Sequence, residues 1–250
     1  MNQFWDQGFA VANNVYSRDE VNEMVALIES KRSKSSNHRI QKEVFAIRNF
    51  LNEYPELTGP LWNDNLVELV NQTGDSSYEN VKSIYFDKPP SSNWVVGWHQ
   101  DTTISVNEQL DIPGYKNWTF KNGLAAVQPP LDKLKWNFTL RIHLDDCDSK
   151  NGALNVVPQS HKCGILNTAK LKEIIENESP RCCSVKSGGV MLMHPLTLHS
   201  SRRSENDLNR RVIHLEFSKE SLPGKLQWRE LNLINRQKGL FASHQQPVDR

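Results

Sequence analysis

A histidine and an aspartate two positions apart are the residues of this chain best suited to metal chemistry. They are His99 and Asp101, in the segment Gly97-Trp98-His99-Gln100-Asp101. In an extended chain, the side chains of residues i and i+2 point to the same face, so this imidazole and carboxylate converge. They offer two ligands of a 2-His-1-carboxylate triad, which leaves open positions on iron(II). Taken alone, the same spacing would also fit an ion pair on the surface of a strand.

A second histidine that could complete the triad stands far downstream. His199 follows an apolar run typical of a strand. Arg210 opens the next predicted strand, residues 210–217, where an arginine is placed to hold a carboxylate through two hydrogen bonds near a metal. The alternative for His199 is a hydrogen-bonded loop histidine.

Two adjacent arginines compete for the inward position on that strand. Arg210 and Arg211 cannot both point inward, because neighbouring side chains of a strand face opposite sides. Arg211 shares its face with an apolar row suited to packing on helices: Ile213, Leu215 and Phe217. Arg210 shares its face with a mixed row suited to a polar site: Val212, His214 and Glu216. The pattern favours Arg210, with Arg211 as the alternative.

These segments, together with residues 151–154 (NGAL) and 157–162 (VPQSHK), resemble the phytanoyl-CoA dioxygenase family. That family is a branch of the iron(II)- and 2-oxoglutarate-dependent oxygenases. The resemblance extends from about residue 9 to residue 217. It implies a mainly β fold with α-helices, namely a double-stranded β-helix (jelly-roll or cupin-like) with buttressing N-terminal helices. Gln159 departs from the family motif, which usually has Gly at that turn.

The resemblance also implies roles for single residues. Iron(II) would be held by His99, Asp101 and His199, and the distal carboxylate of the co-substrate 2-oxoglutarate would pair with Arg210. Ser201, two residues past the last ligand, would donate a hydrogen bond to the same carboxylate. Related halogenases have Gly or Ala in place of Asp101, so a carboxylate there favours hydroxylation.

Three further residues are candidates for contacts with the substrate. Trp98 and Gln100 flank the ligands. Arg141 lies in an alternating strand and could meet 2-oxoglutarate or an anionic substrate; a structural salt bridge with Asp145 or Glu216 is the alternative. The sequence does not identify the substrate, although a small polar metabolite is favoured because no run of basic residues suggests a coenzyme A phosphate site.

The elements that must position these residues begin with helices. The S-x-x-E pattern of Ser17 and Glu20 is typical of a capping box and predicts the start of a helix. An apolar stripe predicts a second helix over residues 61–70. The polar, basic stretch 31–38 is typical of a mobile loop.

From residue 81 onward the pattern changes to strands. Strands are predicted over residues 81–86, 94–106, 138–144, 190–193 and 210–217, with a short helix over 166–177. Asn151-Gly152 predicts a tight turn and a hairpin leading into residues 153–157. Residues 110–130, rich in Gly, Pro and aromatics without a clean period, are predicted to form a long loop, a candidate lid. We therefore expect one domain over residues 1–250, helical over about 1–75 and jelly-roll over about 81–220.

Composition excludes several classes of partner. Lys and Arg number 30 against 29 Asp and Glu, so no basic face for nucleic acid or an anionic membrane is expected. The chain shows no secretory signal and no apolar run long enough for a membrane span. Four cysteines without a CxxC pair indicate thiols in a reducing compartment, and hence a cytoplasmic protein. The expected partners are a small-molecule substrate and O2; the oligomeric state stays open.

The sequence thus predicts an iron(II)/2-oxoglutarate-dependent dioxygenase that hydroxylates a small organic molecule. Two alternatives stay open. One is a non-enzymatic jelly-roll protein that keeps the triad for metal binding, and the other is a cupin-like metal enzyme that needs no 2-oxo acid.

Overall fold

The helices lie mainly in the N-terminal part of the chain. A computed structural model describes residues 2–34, 46–88, 95–121, 123–205 and 208–230. Within these ranges the α-helices are α1 (Asn2–Gln7), α2 (Arg18–Lys34), α3 (Phe50–Glu53), α4 (Thr58–Leu61), α5 (Asp64–Thr73) and α6 (Thr168–Asn177).

The predicted capping box starts α2. The backbone N–H of Ser17 donates to Glu20 Oε2 at 2.7 Å, and the N–H of Glu20 donates to Ser17 Oγ at 3.2 Å. The helix continues to Lys34, so the loop predicted from residue 31 is wrong over its first four residues, and residues 35–38 lie outside the described part. The helix predicted over 61–70 is interrupted at Trp62 and Asn63. There, Asn63 caps α5 by accepting the N–H of Leu66 at 2.9 Å.

The strands are β1 (Phe9–Ala12), β2 (Ala46–Arg48), β3 (Glu79–Lys88), β4 (Val96–His99), β5 (Ile104–Val106), β6 (Lys116–Lys121), β7 (Leu124–Gln128), β8 (Phe138–His143), β9 (Leu154–Val156), β10 (Arg181–Cys183), β11 (Val190–Met193), β12 (His199–Ser201) and β13 (Arg210–Ser218). A six-stranded sheet has the order β1-β11-β8-β13-β3-β2, a four-stranded sheet β10-β9-β12-β4, and a three-stranded sheet β5-β7-β6. All the strand pairs formed by the described residues are antiparallel.

The two faces of the six-stranded sheet have different chemistry. The outer face packs the apolar side chains of β8, β11 and β13 against the helical layer in the main hydrophobic core, which includes Leu140, Leu192, Ile213, Leu215 and Phe217. The inner face carries polar and charged side chains and faces the four-stranded sheet. The side-chain alternation predicted for β13 is therefore confirmed.

Several predicted elements differ from the structure. Residues 110–130 are not one long loop, because β6 and β7 form a hairpin that pairs with β5. The strand predicted over 94–106 is divided into β4 and β5, and Trp94 lies outside the described residues. The N-terminal part also supplies two strands, since β1 and β2 form the edges of the six-stranded sheet.

The hairpin predicted at Asn151-Gly152 does not form. The turn exists, with Gly152 at φ +81°. However, β8 belongs to the six-stranded sheet and β9 to the four-stranded one, so the chain crosses between sheets instead of folding back. None of the helices in the described ranges is both long and apolar enough to traverse a bilayer.

Candidate metal centre

Three ligand-type side chains meet where β4 and β12 pair. His99 ends β4, His199 begins β12, and the two residues lie opposite each other in the antiparallel register. Asp101 follows β4 and its N–H donates to the carbonyl of Pro195 at 2.8 Å. One ligand atom from each of the three residues lies within 4.8 Å of the other two. The Nε2 atoms of His99 and His199 stand 3.9 and 3.7 Å from the Asp101 carboxylate oxygens, so a single ion can be shared after small rotations.

Backbone carbonyls orient both imidazoles. His99 Nδ1 lies 2.8 Å from the carbonyl of Gly97, and His199 Nδ1 lies 2.8 Å from that of Thr197. A carbonyl can only accept, so each Nδ1 carries the proton and each Nε2 keeps its lone pair. Both lone pairs are therefore available to a cation, as is usual for metal-binding histidines.

Electrostatics favour the ligating protonation states. Burial opposes ionisation of Asp101, but the charges of His199, His214 and Lys82 outweigh it and lower the pKa of Asp101 to about 2. Burial lowers the pKa of His199 to about 4. At neutral pH the centre thus offers a carboxylate and neutral imidazole, the forms that bind a divalent cation. His199 is buried, whereas His99 and Asp101 are partly exposed, which leaves one side of the centre open.

Arg210 and Arg211 occupy opposite sides of the six-stranded sheet. Arg211 forms a salt bridge with Asp145 at 2.7 Å and another with Glu29 at 2.8 Å, on the helical side. Arg210 is buried on the inner side, where it donates to the carbonyl of Gly152. Ser201, also buried, lies two residues beyond His199 on β12.

Lys88 is a charged residue of this interior that sequence reasoning missed. Lys88 on β3 lies opposite Arg210 on β13 in the antiparallel register. It is buried and donates to the carbonyl of Arg202 at 2.9 Å. Burial, and then the charge of Arg210, lower the pKa of Lys88 to about 8. Period-two spacing along β3 could have placed Lys88 on the inner face, because it puts Lys88 on the same side of the strand as Lys82, Ile84 and Phe86.

Buried polar atoms without hydrogen-bond partners mark the same interior. They are Arg210 Nε, Arg141 Nε and both ring nitrogens of His143. Buried polar groups are nearly always satisfied, so such a set on one inner face indicates a site for a polar ligand. Two guanidinium groups and Lys88 make the complementary ligand an anion.

Arg141 makes neither of the salt bridges considered from the sequence. Asp145 binds Arg211, and Glu216 binds Lys82 and His214. Arg141 Nη1 instead lies 3.0 Å from His214 Nδ1. Its guanidinium also lies 5.5 Å from the ring centroid of Phe86.

Trp98 and Gln100 point away from the triad. Trp98 packs against a cluster that includes Val157, Ile174 and Leu198, beside α6. The Gln100 amide donates to the carbonyls of Gly164 and Leu196, at 2.9 and 2.7 Å, and accepts the N–H of Leu166 at 2.8 Å. Backbone groups thus occupy the amide, which leaves it little capacity for a substrate.

A family model described as phytanoyl-CoA dioxygenase (PhyH) matches residues 4–212, most of the chain. The chain belongs to the phytanoyl-CoA dioxygenase family. The resemblance seen in the sequence is thereby confirmed, and the protein is placed among the iron(II)- and 2-oxoglutarate-dependent oxygenases. No curated protein matches the chain significantly.

Solved structures of low sequence identity share the fold. AviO1 from Streptomyces viridochromogenes Tue57 is 20% identical, with a TM-score of 0.64 over 89% of this chain and 95% of that chain. EctD from S. alaskensis, solved with 2-oxoglutarate and 5-hydroxyectoine, is 18% identical, with a TM-score of 0.65 over 87% and 74%. HygX from Streptomyces hygroscopicus, solved with nickel and 2-oxoglutarate, is 17% identical, with a TM-score of 0.59 over 86% and 84%. The likeness confirms the double-stranded β-helix.

Proposed function

We propose that this protein is an iron(II)/2-oxoglutarate-dependent dioxygenase that hydroxylates a C–H bond of a small organic substrate, with release of succinate and CO2. The convergence of His99, Asp101 and His199 beside a cationic interior carries this proposal. In the proposal, these three side chains hold iron(II). Two imidazole nitrogens and one carboxylate are the donor set suited to that ion, and they leave positions for further ligands.

The proposal assigns the distal carboxylate of 2-oxoglutarate to Arg210 and Ser201, with Lys88 supplying further positive charge. Support comes from the unpartnered Arg210 Nε and from the burial of all three residues. A charged hydrogen bond between buried groups is strong, because water competes little for the donor.

With iron(II), 2-oxoglutarate and O2 bound, the cofactors supply the oxidising chemistry. The chain contributes orientation and exclusion of water. The carbonyls of Gly97 and Thr197 fix the imidazoles of His99 and His199. Met191 and Met193 of β11 belong to an apolar cluster that fills space between the two sheets. Because Asp101 supplies a carboxylate ligand, we infer hydroxylation rather than halogenation.

A turnover experiment with isotopically labelled oxygen tests the proposal. Protein loaded anaerobically with iron(II), 2-oxoglutarate and a metabolite extract is exposed to 18O2, and mass spectrometry follows succinate and products heavier by one 18O atom. The expected result is succinate formation that needs both iron and 2-oxoglutarate, together with a labelled product, and its loss in Asp101→Ala. Iron binding without consumption of 2-oxoglutarate would instead indicate a metal-binding protein. Turnover independent of 2-oxoglutarate would indicate another type of cupin-like enzyme.

A further inference from the structure

A row of four ionisable side chains crosses the inner face of the six-stranded sheet. The row consists of Arg141, His214, Glu216 and Lys82, contributed by β8, β13 and β3. Strand pairing places His214 opposite Arg141, and Glu216 opposite Lys82. On β13 these positions lie beyond Arg210, toward the opposite end of the inner face.

Hydrogen bonds connect the row in one direction. Arg141 Nη1 lies 3.0 Å from His214 Nδ1, which must accept because a guanidinium has no lone pair to offer. The proton of His214 is then on Nε2, which donates to Glu216 Oε1 at 3.2 Å. Lys82 Nζ donates to the same Oε1 atom at 2.7 Å.

Two hydrogen-bonding atoms of the row, one on either side of His214, are without a partner among the described residues. Arg141 Nε is buried without a partner. Glu216 uses Oε1 for both of its contacts, and no donor from the described residues reaches Oε2. The Lys82 and Glu216 side chains keep 16% and 14% of their surface accessible although they lie on the inner face, as expected for the wall of a cavity.

The row also lies beside the metal centre. The inner face that carries the row faces the four-stranded sheet, whose strands β4 and β12 bring the triad together. A molecule held against the row would therefore lie next to the proposed iron ligands, where a substrate has to be.

We propose that Arg141 and Glu216 bind the substrate, and that the substrate is a small zwitterion whose anionic group meets Arg141 and whose ammonium group meets Glu216. This inference rests on the proposed function. The buried Arg141 Nε donor and the Glu216 Oε2 acceptor are complementary to a ligand that carries both an acceptor and a donor. The His214 ring lies between Arg141 and Glu216, so the two charges of the ligand must be separated by a short chain, as in an ω-amino acid.

Binding of defined probes tests the inference. Calorimetry under anaerobic conditions is run on protein loaded with iron(II) and 2-oxoglutarate. The probes are β-alanine, 4-aminobutyrate and 5-aminopentanoate, each compared with the alkylamine and the alkanoate of equal carbon number. At least one amino acid is expected to bind about tenfold more tightly than both of its partners, the effect of one additional charge-assisted hydrogen bond. Equal or weaker binding of all three amino acids would overturn the proposal.

Conservative variants assign the two ends. Glu216→Gln should remove the advantage over the alkanoate, and Arg141→Gln the advantage over the alkylamine. Glu220→Gln is the matched control, because Glu220 forms a comparable 2.8 Å pair with Lys133 away from the row. If Arg141→Gln weakens binding of 2-oxoglutarate and leaves the probes unaffected, Arg141 serves the co-substrate and the inference is wrong. Failure of the wild-type protein to bind iron and 2-oxoglutarate would instead contradict the proposed function.

Discussion

Arg210 and Arg211 are chain neighbours whose environments differ completely, which makes them a matched pair for testing the co-substrate site. Arg210→Ala should weaken 2-oxoglutarate binding by about 1.5–3 kcal/mol, the value of a hydrogen bond to a charged group, or roughly tenfold to a hundredfold. Arg211→Ala removes the contacts with Asp145 and Glu29 and should lower the melting temperature without changing the affinity. Anaerobic titration with 2-oxoglutarate measures the affinity of each variant, and thermal denaturation measures its melting temperature. An equal loss of affinity in the two variants would contradict the assignment.

At the scale of single residues, the sequence predicted which side chains face the site better than it predicted their hydrogen-bond partners. Period-two alternation was enough to place Arg210 inward and Arg211 outward. It could not show that the Gln100 amide is occupied by backbone groups of Gly164, Leu196 and Leu166, because those partners come from distant segments. Lys88 was missed because it lies at the end of its strand, just before two prolines.

At the scale of elements, the turn before β9 links backbone conformation to the site. Gly152 has φ +81°, and a Cβ there would lie 2.8 Å from the carbonyl oxygen of Arg202 and 3.3 Å from Arg210 Nη1. Gly123 has a similar φ of +73° with nothing within 4 Å of its Cβ position. Alanine variants at the two positions therefore distinguish the effect of backbone strain, which both share, from the effect of steric contact with the site, which only Gly152 has.

We expect Gly123→Ala to lower the free energy of unfolding by about 1–2 kcal/mol, the cost of a left-handed conformation, and to leave 2-oxoglutarate binding unchanged. Gly152→Ala should lower stability further and weaken 2-oxoglutarate binding, because the added methyl group must displace the backbone of Arg202 or the side chains of Lys88 and Arg210. Chemical denaturation and anaerobic titration measure the two effects. A Gly152→Ala variant that binds 2-oxoglutarate normally would show that this turn does not position Arg210.

Elements with one buried face were predictable, and elements without one were not. The long strand β13 and the capping box of α2 gave clear patterns. Strand β6 is exposed along nearly its whole length, so it has no buried face and only a short apolar alternation that does not distinguish it from a loop. The crossing from β8 to β9 gave the local signature of a hairpin, since a turn motif does not reveal which sheet its strands join.

At the scale of the whole molecule, the site exists only because the fold brings distant segments together. His99 ends β4 and Asp101 follows it, whereas His199 begins β12 far downstream in the chain. The spacing of His99 and Asp101 alone was a weak signal. The apolar run before His199 made this residue the candidate for the second histidine, and the family resemblance supported it. Neither could give the charged row of Arg141, His214, Glu216 and Lys82, which depends on the register of three strands.

The most direct test of the account is the iron stoichiometry of the triad variants. Anaerobic equilibrium dialysis against iron(II), followed by metal analysis, should give one iron per chain for the wild-type protein. His99→Ala, Asp101→Ala and His199→Ala should each lose that iron while circular dichroism shows the fold retained. If the three folded variants bind iron as tightly as the wild-type protein, these residues do not form the metal centre and the oxygenase assignment of this site is wrong.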